Sequence, residues 1–316
     1  MSASDRVGRR IKLHDLNMLM AVSQAGSMGK AARFLNTTQP AVSRSIAELE
    51  SMVGVRLLDR SPQGVEPTPY GRALLDCGIA VFDELRQGLK NVAFLADPTV
   101  GEIRIGGNDA IIGGLLPTVF GRLRRKYAGI SIHVANVTVL AEQYSALQER
   151  KIDLILGRIP QKLEDGIVAE TLFYERTFVV ASSKNSWARR RRIEFSELVN
   201  EPWAVPSPDT LVGSIFADAF RAKGVAYPPK CVATGTIHLF CALLASGPFL
   251  SIFPGSTLHF GANLPSLKVL PVDLPVPPWP VGILRLKGRT ISPVAQLFIE
   301  HAREVAKPLA IGNRRC

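Results

Sequence analysis

The stretch that decides the fold is "AARFLNTTQPAVSRSIAELE", Ala31 to Glu50. Two short helical patterns meet across the polar turn Asn36-Thr37, and the second opens Thr38-Gln39-Pro40. Thr38 suits a helix cap, and Pro40 suits a first turn, where a missing N–H costs little. The opening turns carry Thr38, Gln39, Ala41, Ser43 and Arg44; only then does the helix become apolar, at Ile46 and Leu49. That division fits a helix whose N-terminal end enters the DNA major groove while its C-terminal half packs on the protein, because bulky apolar groups would clash with base edges. Gln39 can pair bidentately with adenine, Ser43 can reach a base or a phosphate, and Arg44 can reach guanine or a phosphate. The N–H groups at the helix starts marked by Ser27 and Thr38 can also hold phosphates.

Upstream, "KLHDLNMLMAVSQA" (12–25) spaces Leu13, Leu16, Leu19, Met20 and Val22 as an amphipathic helix. Gly26 ends it, and Ser27 caps the short helix "SMGKAARFLN", with Ala31, Ala32 and Leu35 inward. The helix that begins at Thr38 is expected to stop at Gly54. Downstream, "VRLLDRSPQGVEPTP" is two extended runs around a Ser-Pro-Gln-Gly turn, a small hairpin. It forms a wing, with Arg60 near the flanking DNA backbone or minor groove and Gln63 at the tip. Thr68-Pro69 starts a long helix whose Leu75, Ile79, Phe82, Leu85, Leu89 and Val92 alternate by three and four, with Asp83, Glu84, Arg86 and Lys90 on the other face. An ordinary core helix would show the same pattern. A dimerisation helix is favoured because the segment bridges two regions of different composition, with a hinge at Asp97-Pro98.

From Gly101 the pattern is α/β. "EIRIGG", "ISIHVANV" and "IDLILG" are strands alternating with helices at "LLPTVFGRLRRKY" and "LAEQYSALQERK", which implies a parallel sheet with right-handed crossovers. "FYERTFVVAS" and "EPWAVPS" are further strands, "SIFADAFRAKG" and "IHLFCALLASG" helices, "PFLSIFP" and "VGILRLKG" strands, and "ISPVAQLFIEHAREVA" a last helix. Two lobes follow, the second inserted into the first, with crossings near Thr171–Thr177 and Pro275–Pro280. Small ligands bind such lobes at strand ends and helix N-termini. The candidates are Asn108 and Asp109, Thr138, Val139 and Leu140, then Pro206, Ser207 and Thr236. Asn108 and Asp109 serve either to touch ligand or only to cap a helix.

The 316 residues carry a formal net charge of +11, unevenly placed. Residues 1–98 hold 12 Lys+Arg against 10 Asp+Glu, whereas residues 99–316 hold 26 against 17. Charge alone therefore does not mark the DNA-binding segment. Cys77, Cys231, Cys241 and Cys316 are scattered, without a C-x-x-C pair or a His cluster. They are expected to be reduced thiols in a cytoplasmic protein, with no structural metal and no cofactor. "MSASDRVGRR" lacks the apolar core of a signal peptide, and "LFCALLASGPFLSIF" is broken by Gly247-Pro248 and too short to span a membrane.

With these elements in place, the sequence resembles the LysR-type transcriptional regulators over nearly its whole length. The carriers are "AVSQAGSMGKAARFLNTTQPAVSRSIAELESMVGVRLLDRSPQGVEPTPYG", then "GEIRIGG", "LLP" at 115–117, "LQERKIDLILGR" and "LLASGPFLSIFP". The resemblance implies a winged helix-turn-helix over residues 1–67 and a linker helix and hinge over 68–98, pairing two subunits. It implies a two-lobed α/β effector domain, built like a periplasmic binding protein, over 99–316. Lobe 1 would cover about 99–173 and 278–316, and lobe 2 about 174–277. It implies double-stranded DNA carrying an inverted repeat, a small-molecule effector, and dimers or tetramers, with RNA polymerase a further candidate partner. Thr38, Gln39, Pro40, Ser43 and Arg44 look like the family's groove-facing residues and Arg60 like its wing arginine.

Departures from the family pattern are expected to matter. Met28-Gly29 replaces a frequent Phe-Thr, and Gln63 stands where a basic residue is usual. The tail residues Arg6, Arg9 and Arg10 could compensate. Thr138-Val139-Leu140 and Gly247-Pro248-Phe249 make the effector pocket more apolar than usual, and Asp109 disfavours a carboxylate against it. A sugar-like, aromatic or amphipathic effector fits that lining.

Two other readings compete. An enzyme on the α/β region finds no support: Gly106-Gly107 and Gly113 do not make G-x-G-x-x-G, and no Ser-His-Asp set, G-x-S-x-G or metal cluster is present. A solute-binding protein would need export and leaves residues 1–98 unexplained.

Overall fold

The computed structural model describes residues 8, 10–107, 109–207, 210–224, 227–228, 230–260, 266–274 and 276–312. Asn108 and Cys316 lie outside the described residues, as do the tail arginines Arg6 and Arg9. The chain divides into two compact units, Met1–Arg86 and Gln87–Cys316.

In the first unit α1 (Leu13–Ala25), α2 (Met28–Phe34) and α3 (Gln39–Val53) precede a hairpin, β1 (Leu58–Ser61) and β2 (Gly64–Pro67), and then the long α4 (Pro69–Ala96), whose residues from Gln87 onward belong to the second unit. Gly26 and Gly54 end α1 and α3 in the left-handed region, at φ +63° and +77°. Leu19, Val22, Ala31, Val42, Ile46 and Leu49 are buried together, so α1, α2 and α3 share one core. Buried Asp15 of α1 accepts from the Ser45 hydroxyl of α3 at 3.2 Å, and Glu50 of α3 accepts from the Leu57 and Leu58 amides at 2.7 and 3.2 Å. These bonds lock α3 to its neighbours from inside and leave its outer face free. Along α4 the apolar seam is open to solvent at Leu85, Leu89, Val92 and Leu95. Asp83, expected on the solvent face, is instead buried beside Arg86 at 3.4 Å.

In the second unit β3 (Val100–Gly107), α5 (Asp109–Lys126), β4 (Gly129–Asn136), α6 (Leu140–Gln148), β5 (Leu154–Arg158) and β6 (Ile167–Glu175) build lobe 1. Lobe 2 takes β7 (Thr177–Ser182), β8 (Trp203–Val205), α7 (Leu211–Ala222), β9 (Cys231–Ala233), α8 (Ile237–Ala245), β10 (Leu250–Pro254), α9 (Gly255–Phe260) and β11 (Leu267–Val269). The chain returns to lobe 1 through β12 (Trp279–Leu286) and α10 (Pro293–Gly312). The sheets run β4-β3-β5-β12-β6 and β11-β7-β10-β8-β9.

The βαβαβ segment forms the parallel sheet expected of it, and the later strands make the lobe 1 sheet mixed. β3 runs parallel to β4 and β5, but β12 is antiparallel to both β5 and β6. The cause is the inserted lobe: the chain leaves along β6 and returns along β12 at the same end of the sheet, so the two must oppose. "FYERTFVVAS" is likewise two strands in two sheets, β6 and β7, parted at Arg176, whose carbonyl accepts from Gly255 N at 2.8 Å. Ile103, Ile105, Leu115, Val281 and Phe298 centre the lobe 1 core. Trp203, Phe195, Phe216 and Phe220 form the lobe 2 aromatic core, with Trp203 Nε1 donating to Leu198 O at 2.8 Å.

Candidate DNA-contacting face and effector cleft

The caps at Ser27 and Thr38 form as the sequence predicts. Ser27 Oγ accepts from Lys30 N at 3.5 Å and Thr38 Oγ1 from Ala41 N at 3.4 Å, fixing the first turns of α2 and α3. Thr38, Gln39, Pro40 and Arg44 are exposed and Ser43 is half-buried, while Val42, Ile46 and Leu49 on the other side of α3 are fully buried. A Cβ built on Gly29 would lie 3.4 Å from Gln39 Oε1 and 3.9 Å from Ser27 Oγ, ordinary contact distances that place the Gln39 amide beside the start of α2. Ser27, Thr38 and Gln39 thus come together at one corner.

The wing is attached to that corner. Val65 N of β2 donates to Gly26 O at 3.0 Å, and a Cβ on Gly64, at φ +143°, would meet the same oxygen at 2.8 Å. Arg60 stands opposite Val65 in the hairpin and is exposed, as is Gln63, whose N–H donates to Ser61 Oγ at 3.2 Å. Thr68 closes the base: its hydroxyl donates to Arg56 O at 2.8 Å and accepts from Gly71 N at 3.0 Å. The Asp15–Ser45 lock, the Glu50 brace and the Thr68 clamp were not read from the sequence. Their signal, polar residues at otherwise apolar-facing positions, is visible only once the helices are packed.

Among the described residues, the effector candidates follow the carboxyl ends of β3, β4, β8 and β9. Asp109 opens α5 after β3, although its side chain lies outside the described residues. Thr138 and Val139 follow β4, and half-buried Val139 precedes α6 with no side-chain cap. Leu140 begins α6 and packs on that lobe's smaller apolar cluster. In lobe 2, Pro206 and Ser207 follow β8, and Ser207 O accepts from the Thr210 hydroxyl at 2.7 Å. Thr236 is exposed ahead of α8 and makes no capping hydrogen bond. His238 is exposed.

The lobes meet at α5 and α9, where Thr257 Oγ1 donates to Ala110 O at 2.9 Å. Ile215 of α7 and Phe260 of α9 reach the lobe 1 apolar cluster. Two charged groups at this junction were missed. Arg158 ends β5 with its guanidinium 5.4 Å from the Trp279 ring, and burial lowers its pKa against the opposing pull of Asp218. Glu175 ends β6, buried, accepting from Ser256 N at 3.1 Å and from the Ser256 hydroxyl. Burial raises its pKa despite those bonds. Burial also pushes the Cys241 thiol up, which lowers its reactivity. Among the described residues no helix is long and apolar enough to cross a membrane, and no group of His, Cys, Asp or Glu is disposed to hold a metal ion.

The model of the bacterial regulatory helix-turn-helix protein, lysR family, matches residues 13–72, and that of the LysR substrate binding domain matches residues 96–307. The chain belongs to the LysR family of transcriptional regulators. Along 309 residues it is 28% identical to the uncharacterised HTH-type transcriptional regulator YdcI of Escherichia coli, covering 96% of this chain and 99% of that one. It is 26% identical over 311 residues to the HTH-type transcriptional regulator PcaQ of Agrobacterium fabrum, covering 97% and 99%. Among solved structures, a full-length OxyR variant from Pseudomonas aeruginosa superposes with a TM-score of 0.67 at 20% identity, over 95% of this chain and 97% of that one. Full-length CbnR in complex with its target DNA gives 0.53 at 22% identity, over 94% and 100%. At such identities these two likenesses speak to the fold. Within this LysR-family regulator, the helix-turn-helix match takes in the capped α2–α3 pair and the wing, and the substrate-domain match takes in both lobes.

Proposed function

We propose that this LysR-family regulator reads its operator with Gln39, Ser43 and Arg44 at base edges or neighbouring phosphates. Ser27, Thr38 and Pro40 set the helix starts against the backbone, and Arg60 and Gln63 follow the flanking groove. The observation that carries this reading is α3 itself: capped, braced from within, and exposed at Gln39 and Arg44, with Ser43 half-buried between them. A target-bound CbnR of the same fold supports duplex DNA as the partner. Residues 1–67 act as the DNA-binding domain, 68–98 as the linker through which subunits pair, and 99–316 as the effector domain.

The effector sits between the lobes, against Asn108, Asp109, Thr138, Val139 and Leu140 on one side and Pro206, Ser207 and Thr236 on the other. It shifts the geometry of a dimer or tetramer on the DNA. The chain acts by binding and carries out no catalysis.

Selection of duplexes from a random pool by the full-length protein tests the DNA reading. An enriched inverted repeat is expected, and Arg44→Ala should lose the preference for it by roughly 10- to 100-fold, the range of one good base contact, while melting like the wild type. An Arg44→Ala protein that enriches the same repeat equally well sinks the assignment of α3.

A further inference from the structure

Most of the chain's charge surplus lies in residues 99–316, away from the winged helix-turn-helix, and part of it is concentrated on one turn of lobe 2. Between β7 and β8 the chain runs Ala188-Arg189-Arg190-Arg191-Arg192-Ile193. Ala188 and Ile193 are buried and anchor the turn. Ala188 N donates to Asn185 O at 3.0 Å, Ile193 bridges to Val272, and Asn185 Nδ2 donates to Gly247 O at 2.8 Å. The four arginines between the anchors are therefore held outward, and all four are exposed. Arg190 stacks on the Trp187 ring at 5.4 Å. Lys268 reaches the Ala188 carbonyl from the edge strand β11, and exposed Lys184 flanks the turn. Among the described residues the one carboxylate paired with the run is Glu194, 3.2 Å from Arg192, with Arg192 itself 90% exposed.

We propose that this turn binds the phosphate backbone of duplex DNA, giving each subunit a second, sequence-independent contact besides the winged helix-turn-helix. The chemistry favours DNA over other partners. Guanidinium forks match phosphate oxygens, and a fixed row of them matches a repeating polyanion. A second copy of the chain is disfavoured, because its own surface is net basic at +11. A protein partner would need an apolar or aromatic anchor at the interface centre. The apolar groups of the turn itself supply no such anchor: Trp187 is half-buried under Arg190, and Ala188 and Ile193 are buried, which leaves Val269 on the neighbouring β11, at the patch's edge, as the exposed apolar side chain.

The test uses the full-length protein and a long duplex of arbitrary sequence, titrated by fluorescence anisotropy from about 50 to about 200 mM salt. The variant carrying Arg189→Gln, Arg190→Gln, Arg191→Gln and Arg192→Gln is expected to bind about tenfold more weakly at low salt. Its plot of log affinity against log salt should be shallower by about 0.9 for each phosphate that it no longer neutralises. The matching four-fold Arg→Lys variant should keep the wild-type slope, because charge carries counterion release. If removing the Arg190–Trp187 stack lowers the melting temperature, the pair Arg191→Gln and Arg192→Gln leaves that stack intact and gives the same reading. A glutamine variant with wild-type affinity and slope overturns the proposal and leaves an acidic protein surface as the patch's partner. Arg44→Ala keeps this question apart from operator reading: it should lose site preference yet retain the salt slope that the patch supplies.

Discussion

A Cβ on Gly71 would lie 2.0 Å from the Leu57 carbonyl oxygen and 3.0 Å from its carbon. Both atoms are backbone and cannot swing aside, so Gly71→Ala must push the start of α4 off the base of the wing. The expected cost is roughly 1–3 kcal/mol, the range for overpacking a closed site, read from the urea midpoint of the first unit's unfolding. Glu175 makes a residue-scale prediction of the opposite kind. Burial raises its folded pKa above the unfolded value, so folding favours its protonated form. Between those two pKa values the native state binds more protons than the unfolded one, and stability falls as pH rises through the folded pKa. Glu175→Gln should remove that decline, so plots of melting temperature against pH for variant and wild type should converge or cross above the acid range. Parallel plots would show that the carboxyl does not titrate differently on folding. The sequence revealed the caps at Ser27 and Thr38 because capping is a local preference of the residue and its next three neighbours. It did not reveal Glu175 or Gly71, whose constraints come from Ser256 and Leu57, distant along the chain or across a turn.

At the scale of elements, α4 offers the clearest unfinished surface. Leu85 is 45% exposed, Leu89 71% and Leu95 82% within one chain, on a helix whose upstream Leu75 packs into the first unit's core. Such a stripe on a soluble helix is completed by a partner helix. Leu89, more open than Leu85 and farther from the helix end than Leu95, is the sharper probe. Each fully buried leucine contributes about 1.5–3 kcal/mol, and symmetry counts it twice, so Leu89→Glu should weaken subunit pairing on the order of 100-fold or more. Sedimentation at micromolar protein is expected to show the variant as a lighter species than the wild type; an unchanged oligomer would remove α4 from the interface. The elements legible from sequence were those with a local apolar pattern or a turn signal of their own: α1 to α8 and α10, the β1–β2 hairpin, and β3, β4, β5, β8, β10 and β12. The strands β9 and β11 went unread because, unlike the equally short but fully buried β8, they lie mostly exposed and show no apolar run, and the first half of β6 because "IVAETL" lies half-buried without a clean apolar face. The sense of β12 also escaped, since nothing local in "VGILRLKG" records from which end the chain re-enters the sheet.

At the scale of the molecule, each apolar cluster among the described residues draws on one unit only. Leu19, Val42, Ile46 and their neighbours serve the first, and the clusters around Ile103, Trp203, Tyr144 and Phe253 serve the second. Cooperative unfolding requires a shared core, so two cores predict two transitions. Within the second unit the lobes are joined differently. The chain passes directly from one sheet to the other at Arg176, Ser256 bonds Glu175, Thr257 bonds Ala110, and Ile215 of lobe 2 enters the lobe 1 core, so the two lobes should melt together. Scanning calorimetry of the full-length protein at low concentration should resolve one endotherm for each unit. Gly71→Ala should lower only the first unit's transition and Glu175→Gln should move only the second's, because these sites share no partners and their effects should add. A single transition shifted by both substitutions would mean that the units couple strongly across α4. A third endotherm, moved by Glu175→Gln but not by a core substitution such as Ile103→Val, would mean that the lobes unfold separately and that the Glu175–Ser256 junction joins them more weakly than its burial implies.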